Sequence, residues 1–381
     1  MDVRLVDRPD TFAELLQELA GAPIIAIDTE AASFHRYHDR IYLIQVSTPT
    51  QTAVIDPLGV DSLKPIGELL ADPGIEKVFH DADYDLRLFD REFGFHARSM
   101  FDTRIAAQFL GEPGVGLGAL LQKYFAVTAD KRFQRADWSA RPLSDAMLDY
   151  AAGDTNHLCQ LRDILRDQLT AKGRLNWVEE EFVLLENTRW TGSTDEPAIG
   201  YLRLKGAKAL DRRSLALLRE LFVWREGVAS KLDRAGFRVA GNEVLFELAQ
   251  RPPRTAEALG RVKGVGRDTL DRRGGDILAA IERGLAVPDD LLPKVDRPPR
   301  RVIDLEYEAR LESLKKARNA IAQRFDLAPG VLCPNGTLEA IAHVVPDSIE
   351  RLSEIREIRK WQVREFGSDL LNAVSAGSPS A

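Results

Sequence analysis

Cysteine is nearly absent from this 381-residue chain, which carries only Cys159 and Cys333. The two lie far apart and form no Cys-x-x-Cys pair, excluding a disulfide framework and a cysteine zinc site and suiting a reducing compartment. Missing too is any apolar run of the roughly 18 residues needed to cross a bilayer. The start "MDVRLVDRPDTFAELL" has no basic segment followed by an apolar core. The expectation is a soluble, unexported, cytoplasmic protein without membrane association. Nor does one sign of charge dominate, since 52 Lys and Arg face 59 Asp and Glu for a net −7. The charge is uneven, however: between Gly206 and Gly284, 16 basic residues stand against 11 acidic ones. A basic appendage on a more acidic body suits a carboxylate-metal site joined to a phosphate-binding module; a solvated charged surface is the plainer account. What remains is ordinary globular composition, 44% hydrophobic and 29% charged, enough for two or three domains.

The first 170 residues alternate between strand and helix patterns. Apolar, β-branched runs predict strands at "IIAID", "IYLIQVS", "TAVID" and "KVFHD". Helical periodicity marks "TFAELLQELA", Asp83 to Phe93, "TRIAAQFLG", "LGALLQKYF" and one long helix from Ser144 to Leu169. Short connections make the first three strands an antiparallel meander, and helices separate the later ones, so a mixed α/β sheet covered on both faces is expected. Beyond a transition at 171–205 the pattern is purely helical, and it repeats. Asn242–Ile281 aligns with Asn335–Val374 at a constant offset of 93 without a gap: Leu245 meets Leu338, Ala249 Ala342, Pro253 Pro346, Leu259 Leu352, Gly274 Gly367 and Asp276 Asp369. The expected division is a catalytic α/β domain at 1–170, a connecting segment at 171–205, helical domains at 206–286 and 304–376, a stiff Pro-rich linker at 287–303 and a tail at 377–381.

Three acidic clusters carry the chemistry. In "PIIAIDTEAAS" an apolar strand runs into Asp28 and Glu30, which share a face because alternate strand residues do. In "KVFHDADYDLRLFDRE" Asp81, Asp83, Asp85 and Glu92 fall at calcium-loop spacing, but Leu86 stands where that loop needs Gly and a strand leads in, so the calcium reading fails. The alternative is a strand, a turn and a helix carrying Asp85 in its first turn. In "YAAGDTNHL" Tyr150 and Asp154 are spaced i, i+4 and project from one helix face. Each pattern has an ordinary structural reading alone. Together they supply four hard oxygen donors without His or Cys, a set suited to magnesium or manganese.

These motifs, in this order, are similar to those of the DEDD exonuclease superfamily in its tyrosine-containing branch. "YLIQVS", "VIDPL", "KVFHDADYDLRLF", "FDTRIAAQFLG" and "ADWSARPLSDAMLDYAAGDTNHL" resemble the ribonuclease D family, and the doubled helical repeat resembles that family's C-terminal HRDC domain. The resemblance implies an RNase H-like exonuclease domain followed by two HRDC-like helical domains. It implies two divalent ions, Mg2+ or Mn2+, held by Asp28, Glu30, Asp85 and Asp154, with Tyr150 positioning the attacking water. The implied activity is 3′ to 5′ exoribonuclease cleavage releasing nucleoside 5′-monophosphates. The implied substrate is RNA with a free 3′ end such as a tRNA precursor, and no obligate protein partner is called for. A phenol of ordinary pKa near 10 acts as a base only where its site lowers that value.

The family often has a bulky residue after Asp-x-Glu, where Ala31 and Ala32 stand here; Phe34, His35 and Tyr37 follow as candidates to stack on a base or to pack a loop. His80 reads as a satisfied core or loop histidine, and Asp102 as the N-cap of a helix from Thr103. Lys131, Arg132, Arg135 and Arg141 are candidates for backbone phosphates. So are Lys263 and Arg267, which flank Gly264 and Gly266 in "RVKGVGRDTL" of the first repeat, whereas the second has "EIREIRK" there. A DNA exonuclease and a catalytically idle nucleic-acid-binding protein are the rivals. All three motifs end by Asp154, so the chemistry is expected not to need the helical modules.

Overall fold

In the computed structural model, which describes residues 3–192, 197–295 and 304–377, a mixed sheet organises the first 170 residues. Its strands are β1 (Arg4–Val6), β2 (Ile24–Ala31), β3 (Ile41–Ser47), β4 (Thr52–Ile55), β5 (Glu76–Phe79) and β6 (Met100–Asp102), in the order β1-β4-β3-β2-β5-β6. β2, β3 and β4 form the expected antiparallel meander, while β5 pairs in parallel with β2 and β6, and β1 with β4. β1 and β6 were not foreseen; three residues are too few for alternation to register.

Alternation along β2 divides the core. Ile25 and Ile27 face α1 (Pro9–Ala20), α2 (Lys64–Ala71) and α3 (Asp83–Phe93). Ile24 and Ala26 face α4 (Thr103–Leu110), α5 (Leu117–Phe125), α7 (Leu158–Ala171) and α8 (Leu175–Leu185). The single helix expected from Ser144 to Leu169 is two, α6 (Asp145–Gly153) and α7. Buried Thr155 causes the break: its hydroxyl pairs at 2.7 Å with that of Ser47, which also meets Thr52 at 2.8 Å. A satisfied buried hydroxyl is worth more here than a continued turn, and Gly153 lowers the cost of leaving the helix.

The remainder is helical and doubled. After α9 (Pro197–Gly200), the first repeat comprises α10 (Arg212–Leu232), α11 (Gly236–Val239), α12 (Asn242–Gln250), α13 (Ala256–Gly260) and α14 (Arg267–Ala286). The second comprises α15 (Leu305–Phe325), α16 (Pro329–Leu332), α17 (Asn335–Val344), α18 (Ile349–Ser353) and α19 (Lys360–Ala376), each starting 93 residues later. The same bonds recur at that offset. Arg225 donates to Asn242 Oδ1 at 2.7 Å and the Ala240 carbonyl at 3.4 Å; Arg318 donates to Asn335 Oδ1 at 2.6 Å and the Cys333 carbonyl at 3.4 Å.

The two repeats are attached differently. The first has its own core, which Tyr201 and Leu204 join from the segment before it. The second shares one continuous core with α4, α5, α7 and α8. Trp361 stacks on Trp177 at 4.5 Å and 10°, and meets Phe109 edge-on at 5.5 Å. The Glu180 carboxylate accepts from the Lys360 and Trp361 amides at the start of α19, and Glu181 pairs with Arg359 at 2.9 Å. Residues 193–196, positions 296–303 of the Pro-rich linker and 378–381 of the tail lie outside the described residues. Among the described residues no helix is long and apolar enough to cross a membrane.

Candidate active site

β2 outruns its parallel neighbour. The last β5 pair is Ala26↔Val78, whereas β3 continues alongside to Glu30↔Leu43, with an irregularity between Glu30 and Ala31. Asp28, Thr29 and Glu30 therefore lie beside one strand with the other edge past the end of β5. By alternation Thr29 turns toward the α3 layer and Asp28 and Glu30 toward the other. The Thr29 hydroxyl donates to Asp85 Oδ1, holding the buried carboxylate in the first turn of α3. Asp102 fixes the start of α3: its Oδ2 accepts from the Ala82 amide at 2.8 Å, while Oδ1 caps α4 through the Arg104 and Ile105 amides. The N-cap reading of Asp102 holds, and the same side chain anchors a second helix.

On the opposite layer Asp154 follows the last residue of α6 with φ −77° and ψ −17°, still helical, so its i, i+4 relation to Tyr150 survives the break. The adjacent Thr155–Ser47 bond pins this corner to β3. The carboxylates feel one another. Burial, then the Asp154 charge, pushes Asp28 up to about 8. Burial raises Asp154 to about 7. Glu30 is raised by burial and by Asp28, Asp154 and Asp85, and Asp85 by burial and Asp28. All four would accept a positive charge among them.

The Tyr150 ring is half-buried between Phe133 and Trp138, each 5.8 Å away. Burial, followed by the charges of Asp154, Glu30 and Asp28, raises its phenol above the usual value. While those carboxylates are unneutralised the shift runs against a base role for Tyr150, and its hydroxyl can donate and accept hydrogen bonds.

The other candidates divide. His80 pairs with the Thr103 hydroxyl at 2.9 Å, and burial and Arg104 push it down to about 4, as a satisfied histidine requires. Arg141, expected at a phosphate, is instead committed to Asp56 by two bonds of 2.6 and 2.9 Å and to the Trp138, Ala140 and Tyr42 carbonyls. Arg132 is paired with Asp130 at 2.7 Å. Lys131 and Arg135 are exposed on the segment that carries Phe133. Lys263 and Arg267 are exposed on the first repeat, at a loop where Gly264 has φ +94°, and form no part of the carboxylate cluster. Phe34, His35 and Tyr37 lie in the loop that meets the first repeat, where the His35 carbonyl accepts from the Ala235 amide at 3.1 Å. Sequence reasoning missed Thr29, Phe133 and Trp138. Thr29 was visible between two carboxylates; the rings carry no local signal.

The donor set fits a hard divalent cation: four carboxylates with no competing soft ligand. Among the described residues no three His, Cys, Asp or Glu side chains are placed closely enough to hold a metal ion as they stand.

The sequence profile of a 3′-5′ exonuclease family matches residues 3–170, and the HRDC domain profile matches 214–281 and 308–374. Ribonuclease D of Granulibacter bethesdensis is 35% identical over 96% of this chain and 91% of its own length. Ribonuclease D of Escherichia coli is 30% identical over 87% of this chain and 88% of its own. The crystal structure of Escherichia coli RNase D, described as an exoribonuclease involved in structured RNA processing, superposes with a TM-score of 0.70 at 26% identity, covering 98% of this chain and 99% of that one.

Proposed function

The chain belongs to the ribonuclease D family of 3′-5′ exoribonucleases, and from that premise we propose that Asp28, Glu30, Asp85 and Asp154 form its metal site and Tyr150 its water-positioning residue. The observation that carries this is the meeting of all four carboxylates in one mutually perturbed field at the free end of β2. Two divalent ions, Mg2+ or Mn2+, supply neutralisation of the phosphodiester charge and activation of water there. The chain's own groups do the positioning. Thr29 holds the Asp85 carboxylate, Asp102 holds the helix that presents it, and the Thr155–Ser47 pair holds the corner carrying Asp154. The Tyr150 hydroxyl, its ring held between Phe133 and Trp138, orients the attacking water by hydrogen bonding.

We further propose a cytoplasmic enzyme that trims the 3′ tails of structured RNA such as tRNA precursors, requires no obligate protein partner and releases nucleoside 5′-monophosphates. The catalytic unit would span 1–170, with 171–205 connecting it to helical domains at 206–286 and 304–376. The test is incubation with 5′-labelled RNA and manganese, with matched DNA in parallel. A stepwise ladder on RNA is expected. Asp28→Asn should abolish both the ladder and most of the manganese-induced rise in Tm. Tyr150→Phe should keep the Tm rise and lose about 10²- to 10⁴-fold in turnover. An unchanged manganese shift in Asp28→Asn would remove that residue from the metal site.

A further inference from the structure

Phe34 and Phe237 meet edge to face at 6.3 Å and 77°, yet remain 44% and 52% exposed. Phe34 lies four residues beyond Glu30 on the loop leaving β2; Phe237 lies in α11 of the first repeat. The contact therefore leaves both rings open to a further partner. Each ring also carries a guanidinium, Arg135 at 5.1 Å from the Phe34 centroid and Arg238 at 5.9 Å from that of Phe237. The seam is held in place by three hydrogen bonds, each using a main-chain group of the loop after β2. Arg238 Nε donates to the Phe34 carbonyl at 2.6 Å, the Ala235 amide to the His35 carbonyl at 3.1 Å, and the His38 amide to Asp233 Oδ1 at 3.1 Å.

The seam also leads to the site. Arg135 is two residues from Phe133, whose ring touches Tyr150. The Tyr150–Phe133 pair at the carboxylates and the Phe34–Phe237 pair at the first repeat are thus linked through the short segment from Phe133 to Arg135. The second repeat shows that the helical fold itself does not need the outer pair. At the offset of 93, Phe237 and Arg238 correspond to Gly330 and Val331, in the same short helix after the same left-handed aspartate, Asp233 at φ 44° and Asp326 at φ 53°.

Building on the exoribonuclease reading, we propose that this seam binds the single-stranded RNA segment upstream of the nucleotide being removed, bases stacking on Phe34 and Phe237 and phosphates meeting Arg135 and Arg238. Stacking with cationic support suits an enzyme that must hold every sequence it trims, because every base has a π face. A duplex keeps its bases stacked inside and cannot use the rings, so a minimum unpaired tail becomes a requirement for trimming.

The test uses the full chain with Phe34→Leu and Phe237→Leu, which keep an apolar side chain but remove the ring. KM and kcat are measured on a long single-stranded RNA and on a dinucleotide, with Tm recorded alongside. The expected result is a KM for the long RNA raised about 10-fold by each variant, with Tm and dinucleotide cleavage close to wild type. A long-RNA KM within about twofold of wild type would overturn the proposal. So would an equal loss on both substrates with a lowered Tm, which would make the rings packing residues. Wild-type inactivity on both RNAs would overturn the exoribonuclease reading, and this inference with it.

Discussion

The two helical repeats share one framework and put the same loop to opposite uses. Lys263 to Arg267 in the first repeat corresponds to Arg356 to Lys360 in the second. In the first the loop is glycine-rich, basic and almost wholly solvent-facing, with Arg267 only in loose contact with Asp271 at 3.9 Å. In the second the loop is the docking edge, where Arg359 pairs with Glu181 and the next turn inserts Trp361 against Trp177. Position 268, the counterpart of Trp361, is an exposed aspartate paired with Arg272. One copy has become part of the catalytic domain's core while the other kept its surface free and met the catalytic domain through the loop beyond Glu30. The internal ties common to both copies, the Arg225–Asn242 and Arg318–Asn335 bonds, use none of the loop's side chains, so the loop could diverge while they stayed.

The harshest way to break this comparison is to end the chain near residue 205. The sequence suggests that such a chain keeps catalysis and loses only RNA affinity. The shared core predicts instead that it loses cooperative folding, because α4, α7 and α8 would present apolar surface to water; circular dichroism and sedimentation would read this, and a monodisperse, cooperatively melting fragment would contradict it. Next in size, Trp361→Ala should cost about 3–5 kcal/mol in denaturant unfolding, whereas Asp268→Ala at the matching position should stay within about 0.5 kcal/mol of wild type.

A third test separates stability held at the docked repeat from stability held at the carboxylates. Asp28 and Asp154 bind protons more tightly folded than unfolded, with values of about 8 and 7 against an ordinary 3.8. Their contribution is fully present below about pH 4 and is lost as pH rises through 7 to 8. Metal-free protein should therefore lose stability over that range, and the Tm gain on adding manganese should grow with pH. Asp28→Asn should flatten the trend and Trp361→Ala should leave its slope intact. The smallest effect is expected at the free loop: Lys263→Ala and Arg267→Ala should each lower the salt slope of RNA binding by about 1, and Arg356→Ala in the second repeat should serve as the comparison without that change.

Much of this architecture was legible in the residues because its signals are local. Asp28 and Glu30 at a strand end, Asp85 in a first turn, and Tyr150 four before Asp154 all fall where spacing places them. The 93-residue offset held for every helix pair from α10 and α15 onward. What escaped depends on partners distant in the chain. The α6–α7 break needs Ser47, 108 residues from Thr155. Arg141 looked free because Asp56 is 85 positions away. Trp177 and Trp361 each read as ordinary core, and nothing in either half announced that they would be the same core.

The constant offset has a practical consequence for mutagenesis. Because the second repeat reproduces the first helix for helix, each residue in one copy is a substitution already carried by the same backbone in the other. Gly330 and Val331 certify that the short helix closes without a ring or a guanidinium, so replacements at Phe237 and Arg238 drawn from that copy start with a folding control built into the chain. Where the copies agree, as at Gly274 and Gly367, the reason is visible: a Cβ at either would press to 3.2 Å and 3.1 Å against a leucine or isoleucine beneath. Such positions have no licensed alternative, and divergence between the copies maps where this protein has room to change.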